Sequence, residues 1–160
     1  MPVEDNERIA MQVSAGSRLP LIAESFARIA GKPLVDPASG GIEEAMWLAP
    51  RVIMAQGIDA VPRIFYANRL ALDLYEMTAS AFIGMPSHLC AEPIRRAELL
   101  RMFARLDKDD WIEGFNGVRV ASSGRRFKVD TALTWNVIDE HGTRVAQAAS
   151  YAEWEYIDPA

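Results

Sequence analysis

The side chains with chemistry to offer are few and scattered. Cys90 is the only thiol, and His88 and His141 are the only imidazoles. Neither imidazole belongs to a His, Cys or carboxylate grouping with the spacing of metal ligands, so no metal centre is expected. A single Cys excludes an internal disulfide and fits a reducing compartment, and a lone buried thiol ordinarily serves as a small hydrophobe. His88 either hydrogen-bonds a ligand beside a pocket or simply sits in its loop, whereas His141 falls in a turn and is expected to be solvated. Asp109, Asp110 and Glu113 flank Trp111 without a partnering base, and read as a helix-to-strand connection rather than a catalytic pair. Ser122-Ser123-Gly124 lacks the strand–turn–helix setting of a nucleophile elbow. Arg95, Arg96, Arg101 and Arg105 gather positive charge on one segment, but Glu98 lies among them, as on a solvated helix face. These residues point away from catalysis and towards binding.

The overall balance narrows the partners. The chain has 160 residues, 50% of them hydrophobic and 24% charged, the proportions of one ordinary globular domain. Seventeen Lys and Arg against 22 Asp and Glu leave a net charge of −5, which argues against a phosphate backbone as partner. The acidic start, MPVEDNERI, is neither a signal nor a transit peptide, and no stretch approaches the ~18 apolar residues of a membrane span. A cytoplasmic domain with no nucleic-acid and no membrane partner is expected.

The elements that position these residues follow from periodicity. Residues 1–16 carry no sustained period and read as a loose or weakly helical arm. Leu19, Ile22, Ala23, Phe26, Ile29 and Ala30 repeat with helical spacing, and Gly31 and Pro33 stop the helix. A short helix over 42–48 precedes two short strands, 51–55 and 63–66. Asn68 and Thr78 are N-cap residues for two short helices, the second ended by Gly84 and Pro86. Pro93 suits the first turn of a longer helix to about Leu106. Three strands finish the chain, 111–121, 125–138 and 143–156, with turns at Ser122-Ser123-Gly124 and 139–142. In the middle strand Phe127, Val129, Thr131, Leu133, Trp135 and Val137 alternate with Lys128, Asp130, Thr134 and Asn136, which predicts one buried face.

The run Phe65-Tyr66-Ala67-Asn68-Arg69-Leu70-Ala71-Leu72-Asp73-Leu74-Tyr75-Glu76 resembles the PAS signature, in which a strand enters a helix through an Asn. It is still more similar to the MEKHLA domain, a PAS-like family found alone in bacteria and at the carboxyl end of plant class III homeodomain–leucine zipper proteins. Gly84-Met85-Pro86-Ser87, Gly117-Val118-Arg119, Ser123-Gly124-Arg125-Arg126-Phe127 and Trp135-Asn136-Val137 continue the match over about residues 46 to 154. The resemblance implies an α+β fold: a PAS-like five-stranded antiparallel sheet in the order 2-1-5-4-3, helices on one face, and an N-terminal helical extension. Residues 1–45 would form that extension and 46–160 the PAS-like domain. It implies a sensory or interaction module with no established chemistry, associated in the plant proteins with regulating dimerisation.

Within such a fold a ligand cavity lies between the sheet and the long helix. Its expected walls are Phe127 and Trp135 with Phe103 opposite, Gln147 and Tyr151 on a neighbouring strand, and His88 and Cys90 nearby. A core filled by these same residues is the competing expectation. In flavin-binding LOV domains the reactive thiol sits in Asn-Cys-Arg-Phe-Leu-Gln, whereas here Ser87 takes that place in Pro-Ser-His-Leu-Cys-Ala. A covalent flavin adduct is therefore disfavoured, non-covalent flavin stays open, and haem is disfavoured because residues 93–106 contain no His. The ligand itself is unknown. Leu19, Ile22, Phe26 and Ile29, with Trp47, form the candidate interface, packing on the chain's own sheet or on a partner's in a homodimer. Any signal would pass to a separate signalling protein. The rival architecture is a small enzyme with a cone-shaped α+β fold of the NTF2-like type, and the third reading is a pure dimerisation module.

Overall fold

In the computed structural model of the chain, which describes residues 3–36, 40–91, 96–106 and 110–157, the alternating segment becomes the longest strand. The chain order is α1 (Val3–Ala15), α2 (Arg18–Ala30), α3 (Gly41–Trp47), β1 (Val52–Gln56), β2 (Ile64–Ala67), α4 (Arg69–Tyr75) and α5 (Ala79–Phe82). A 3₁₀ turn (Ser87–Cys90), α6 (Arg96–Leu106), β3 (Trp111–Val120), β4 (Arg126–Ile138), β5 (Arg144–Tyr151) and β6 (Glu153–Ile157) follow. These strands pair antiparallel in the order β2-β1-β5-β4-β3. The sixth strand, β6, continues β5 past Ala152 and keeps its register on β4. The expected sheet order is therefore present, with its final strand broken in two. This excludes the cone-shaped alternative.

The break has a cause that changes which residues face the helices. Thr131 takes a left-handed backbone (φ 54°), and the β3–β4 register slips around Phe115. A bulge of this kind inserts an extra residue and shifts the side-chain alternation by one. Phe127 therefore shares a face with Thr134, not with Trp135. The single buried face read from alternation is corrected: Phe127 packs against Tyr75 of α4, whereas Trp135 and Trp111 meet Phe26 of α2 on the opposite side. On β5–β6 the discontinuity at Ala152 falls opposite the bulge, between the pairs Leu133–Ser150 and Asp130–Glu153.

Local chemistry sets the helix boundaries. Asn68 Oδ1 accepts from Ala71 N–H at 3.2 Å and caps α4, and Thr78 Oγ1 accepts from Ala81 N–H at 3.2 Å and caps α5. Gly31 adopts φ 74°, the left-handed geometry that a β-carbon disfavours, and ends α2. Pro93, the expected first residue of the long helix, lies outside the described residues.

The two amino-terminal helices are part of the core. The expected loose arm is a helix, α1, whose Met11 and Ala15 are buried, and Ser14 Oγ donates to the Phe65 carbonyl on edge strand β2 at 2.6 Å. Periodicity missed it because its buried face uses small and flexible residues. Leu19, Ile22 and Phe26 are at most 1% exposed against the chain's own sheet, and Trp135 Nε1 donates to the Ile22 carbonyl at 3.1 Å. Ile29 is half-buried and Trp47 is buried in the same cluster. Of the two placements open to this stripe, the structure has the intramolecular one, so these side chains present no free interface. A division at residue 45 separates no cores, because Leu19, Ile22 and Phe26 join the cluster that includes Met46, Trp47 and the sheet.

Candidate functional site

A cavity of about 70 Å³ lies between the sheet and the 3₁₀ turn. Three sheet strands and β2 supply most of its walls: Met54 and Gln56 from β1, Gln147, Ala149 and Tyr151 from β5, Ala132 and Thr134 from β4, and Ile64 from β2. The pairing explains the wall. Met54 lies opposite Ala149 and Gln56 opposite Gln147, so these directly paired residues point to one face. Ser87 and Cys90 enter from the 3₁₀ turn, and Arg119 enters from β3. The isolated bridge between Ala91 and Arg119 brings that turn to the β3 edge.

The polar groups are joined at two points. Gln56 Nε2 donates to Gln147 Oε1 at 3.0 Å, closing an amide pair across β1 and β5. The Tyr75 and Tyr151 hydroxyls lie 2.8 Å apart, both rings buried. Arg119, 9% exposed, donates from Nη1 to the Val118 carbonyl at 3.3 Å, and its charge acts on Cys90, Tyr75 and Tyr151. Burial pushes the Cys90 thiol up to about 12, only partly opposed by Arg119. Burial likewise raises both tyrosine hydroxyls well above their ordinary range. At neutral pH the wall thus carries a neutral thiol, the neutral phenol of Tyr151 and one cation. Ser87 Oγ is buried there with no hydrogen-bond partner among the described residues.

Of the residues singled out from sequence, the structure brings Cys90, Gln147 and Tyr151 to one wall. His88 is half-buried in the 3₁₀ turn and is not on the wall. Phe127 lies against Tyr75, 5.2 Å between ring centres, and stays off the wall. Trp135 is corrected from cavity wall to the opposite face by the bulge at Thr131. Phe103 is on α6, but its side chain lies outside the described residues. Arg119, Gln56 and Thr134 escaped the sequence reading, and Ser87 entered it only as the residue in the place of the LOV thiol. Arg119 was open to detection, since the turn at 122–124 pairs it with Phe127, and directly opposed residues share a face.

The size of the cavity limits its occupant. A cavity of about 150 Å³ accepts benzene. The space bounded here is about half that. Among the described residues, no group of three His, Cys, Asp or Glu is placed to hold a metal ion. Within the same residues, no helix is long and apolar enough to cross a membrane.

An antiparallel β2-β1-β5-β4-β3 sheet, with short helices and a 3₁₀ turn beside a cavity on one face, defines a PAS-like domain. The MEKHLA domain model matches residues 17–156, and the chain belongs to that family. The match begins at the start of α2, which agrees with that helix being part of the core. Homeobox-leucine zipper protein HOX32 of Oryza sativa subsp. indica is 25% identical over 114 residues, 71% of this chain and 13% of that protein. Homeobox-leucine zipper protein ATHB-9 of Arabidopsis thaliana is 24% identical over 99 residues, 62% of this chain and 12% of that protein. The chain thus spans about an eighth of the length of these curated relatives. Among solved structures, the PAS domain of a protein from Colwellia psychrerythraea matches with TM-score 0.59 and 12% identity, over 71% of this chain and 92% of that one. A light-oxygen-voltage domain studied with a flavin analogue matches with TM-score 0.57 and 15% identity, over 73% of this chain and 84% of that one. These two likenesses concern the fold.

Proposed function

We propose that this PAS-like domain is a non-enzymatic sensor whose signal is occupancy of the sheet cavity by a small molecule. The observation that carries the reading is a concave space lined by apolar side chains and a few convergent polar ones, the usual make-up of a small-ligand site. A protonated Cys90 with no imidazole on the wall supports binding rather than nucleophilic chemistry. The output would be a population shift. The same strands that wall the cavity carry α2 on their other side, so an occupant that moves β4 or β5 also changes how α2 is seated.

The partner receiving that change would be a separate protein or a second copy of the chain, in the cytoplasm, and not nucleic acid, given the net charge of −5. Ile9 and Val13, one helical turn apart on α1, are 41% and 76% exposed and supply an apolar contact. Native mass spectrometry of the purified chain, with amide exchange measured before and after the occupant is removed, tests the proposal. A stoichiometric small molecule whose removal speeds exchange in β5 and α2 is expected. An empty protein whose exchange is unaffected by small-molecule extracts, and which self-associates through α1, would replace sensing with association.

A further inference from the structure

We propose that the occupant is a short-chain carboxylate of about two or three carbons, bound with its carboxylate at Arg119 and Ser87 and its stem against Met54, Ile64, Ala132 and Ala149. This rests on the sensing reading and names its ligand class.

Three observations converge. First, charge: among the described residues on the wall Arg119 is the only ionised group, and no carboxylate is present. Guanidinium stays charged even when buried, and its planar fork matches a carboxylate better than any other common ligand group. Arg119 also has bonds within the protein, so the ligand joins an existing network rather than replacing a missing partner. Second, an unmet polar atom: Ser87 is 7% exposed, and its Oγ has no partner among the described residues. A buried hydroxyl left unpaired is costly, and an anionic oxygen would satisfy it with a charge-assisted bond. Third, size: about 70 Å³, set against about 150 Å³ for a benzene site, admits roughly three to five heavy atoms. The remaining wall is mostly aliphatic, which suits a methyl or ethyl stem and not a second charge.

Gln147 borders both the cavity and an adjoining depression between the β1–β2 connection and α6, which Ile58 and Leu100 line. Its amide stands at the boundary, held by Gln56.

Titration calorimetry and amide chemical-shift mapping with sodium propionate, its neutral isostere propionamide, and sodium chloride at matched ionic strength test the assignment. Propionate is expected to bind with shifts centred on Arg119, Ser87 and Ala149, and propionamide to bind at least thirty-fold more weakly. Ser87→Ala removes one hydrogen bond to a charged group and should weaken propionate about tenfold or more. Arg119→Gln should abolish binding; Ser87→Ala is the control should that variant fail to fold. Equal binding of propionamide, or an unchanged Ser87→Ala affinity, overturns the carboxylate assignment and leaves sensing standing. Absence of binding by either compound also overturns it. In that case a different stoichiometric occupant in the native mass spectrum preserves the sensing reading, and an empty spectrum removes both.

Discussion

Asn68 offers the most decisive test of how this fold is held together, because its amide serves four backbone groups at once. Oδ1 accepts from Ile53 N–H and Ala71 N–H, both at 3.2 Å. Nδ2 donates to the Met46 carbonyl at 3.0 Å and the Arg51 carbonyl at 2.8 Å. The side chain is fully buried, so water cannot substitute. At roughly 1 kcal/mol per hydrogen bond, Asn68→Ala should cost about 3–5 kcal/mol, well above the ~1 kcal/mol of an ordinary N-cap. For a chain of this size that corresponds to a fall in Tm of about 10 °C. Asn68→Asp separates the two roles. Asp is as good an N-cap as Asn, and retains the acceptor for Ile53 and Ala71, but it sets a carboxylate oxygen against the Met46 and Arg51 carbonyls. Its loss should therefore match or exceed that of the Ala variant at neutral pH. The buried carboxyl, facing two acceptors, has its pKa raised in the folded state, so Asn68→Asp should regain stability as pH falls while Asn68→Ala does not. Urea unfolding of the three proteins at pH 7.5 and 5 measures this. An Asp variant within about 0.5 kcal/mol of wild type at pH 7.5 would refute the four-bond account and reduce Asn68 to a cap.

Two further outcomes follow from the packing. Phe26→Ala empties the space between Trp111 and Trp135 and should cost about 3–5 kcal/mol, read by urea unfolding, with no change in oligomeric state by light scattering. Dissociation of an otherwise stable dimer would instead place Phe26 at an interface. Cys90, with its thiol pushed up to about 12, should label with a disulfide reagent at pH 8 only as fast as the chain opens. Because the folded value lies above the unfolded one near 9, Cys90 favours the folded state below about pH 9, and this contribution is lost as pH rises towards 12. Cys90→Ala should accordingly make stability fall less steeply across that interval, in unfolding curves at successive pH values.

Sequence patterns went furthest where one local rule acts alone. The caps at Asn68 and Thr78, the stop at Gly31 and the three-strand hairpin series each depend on a few neighbouring residues. Gln147 and Tyr151 were placed on one wall by strict alternation, because β5 is regular along that stretch. Alternation failed in β4, where Thr131 inserts a half-step that nothing in its type announces. Trp135 was misassigned for that reason. Arg119 was missed because an Arg in a strand usually marks the solvent side, and only the hairpin pairing to Phe127 places it inside. Among the described side chains of α1 the buried ones are Met11 and Ala15, too sparse a stripe to stand out beside α2.

The bulge at Thr131 also makes β4 intolerant of changes in length. Upstream of it, Phe127 serves the layer of short helices, and downstream Trp135 serves α2. Deleting one residue between them would remove the half-step and leave the strand continuous with its two faces unchanged, yet it would put β6 one step out of register with β4 relative to β5. Phe127 and Thr134 would still share a side, but the residues of β6 would each meet β4 one step out and turn to the other face. Single-residue deletions there should therefore be far more damaging than most substitutions at the same positions. A matching deletion at Ala152, opposite the bulge, is the natural place to look for their suppressors.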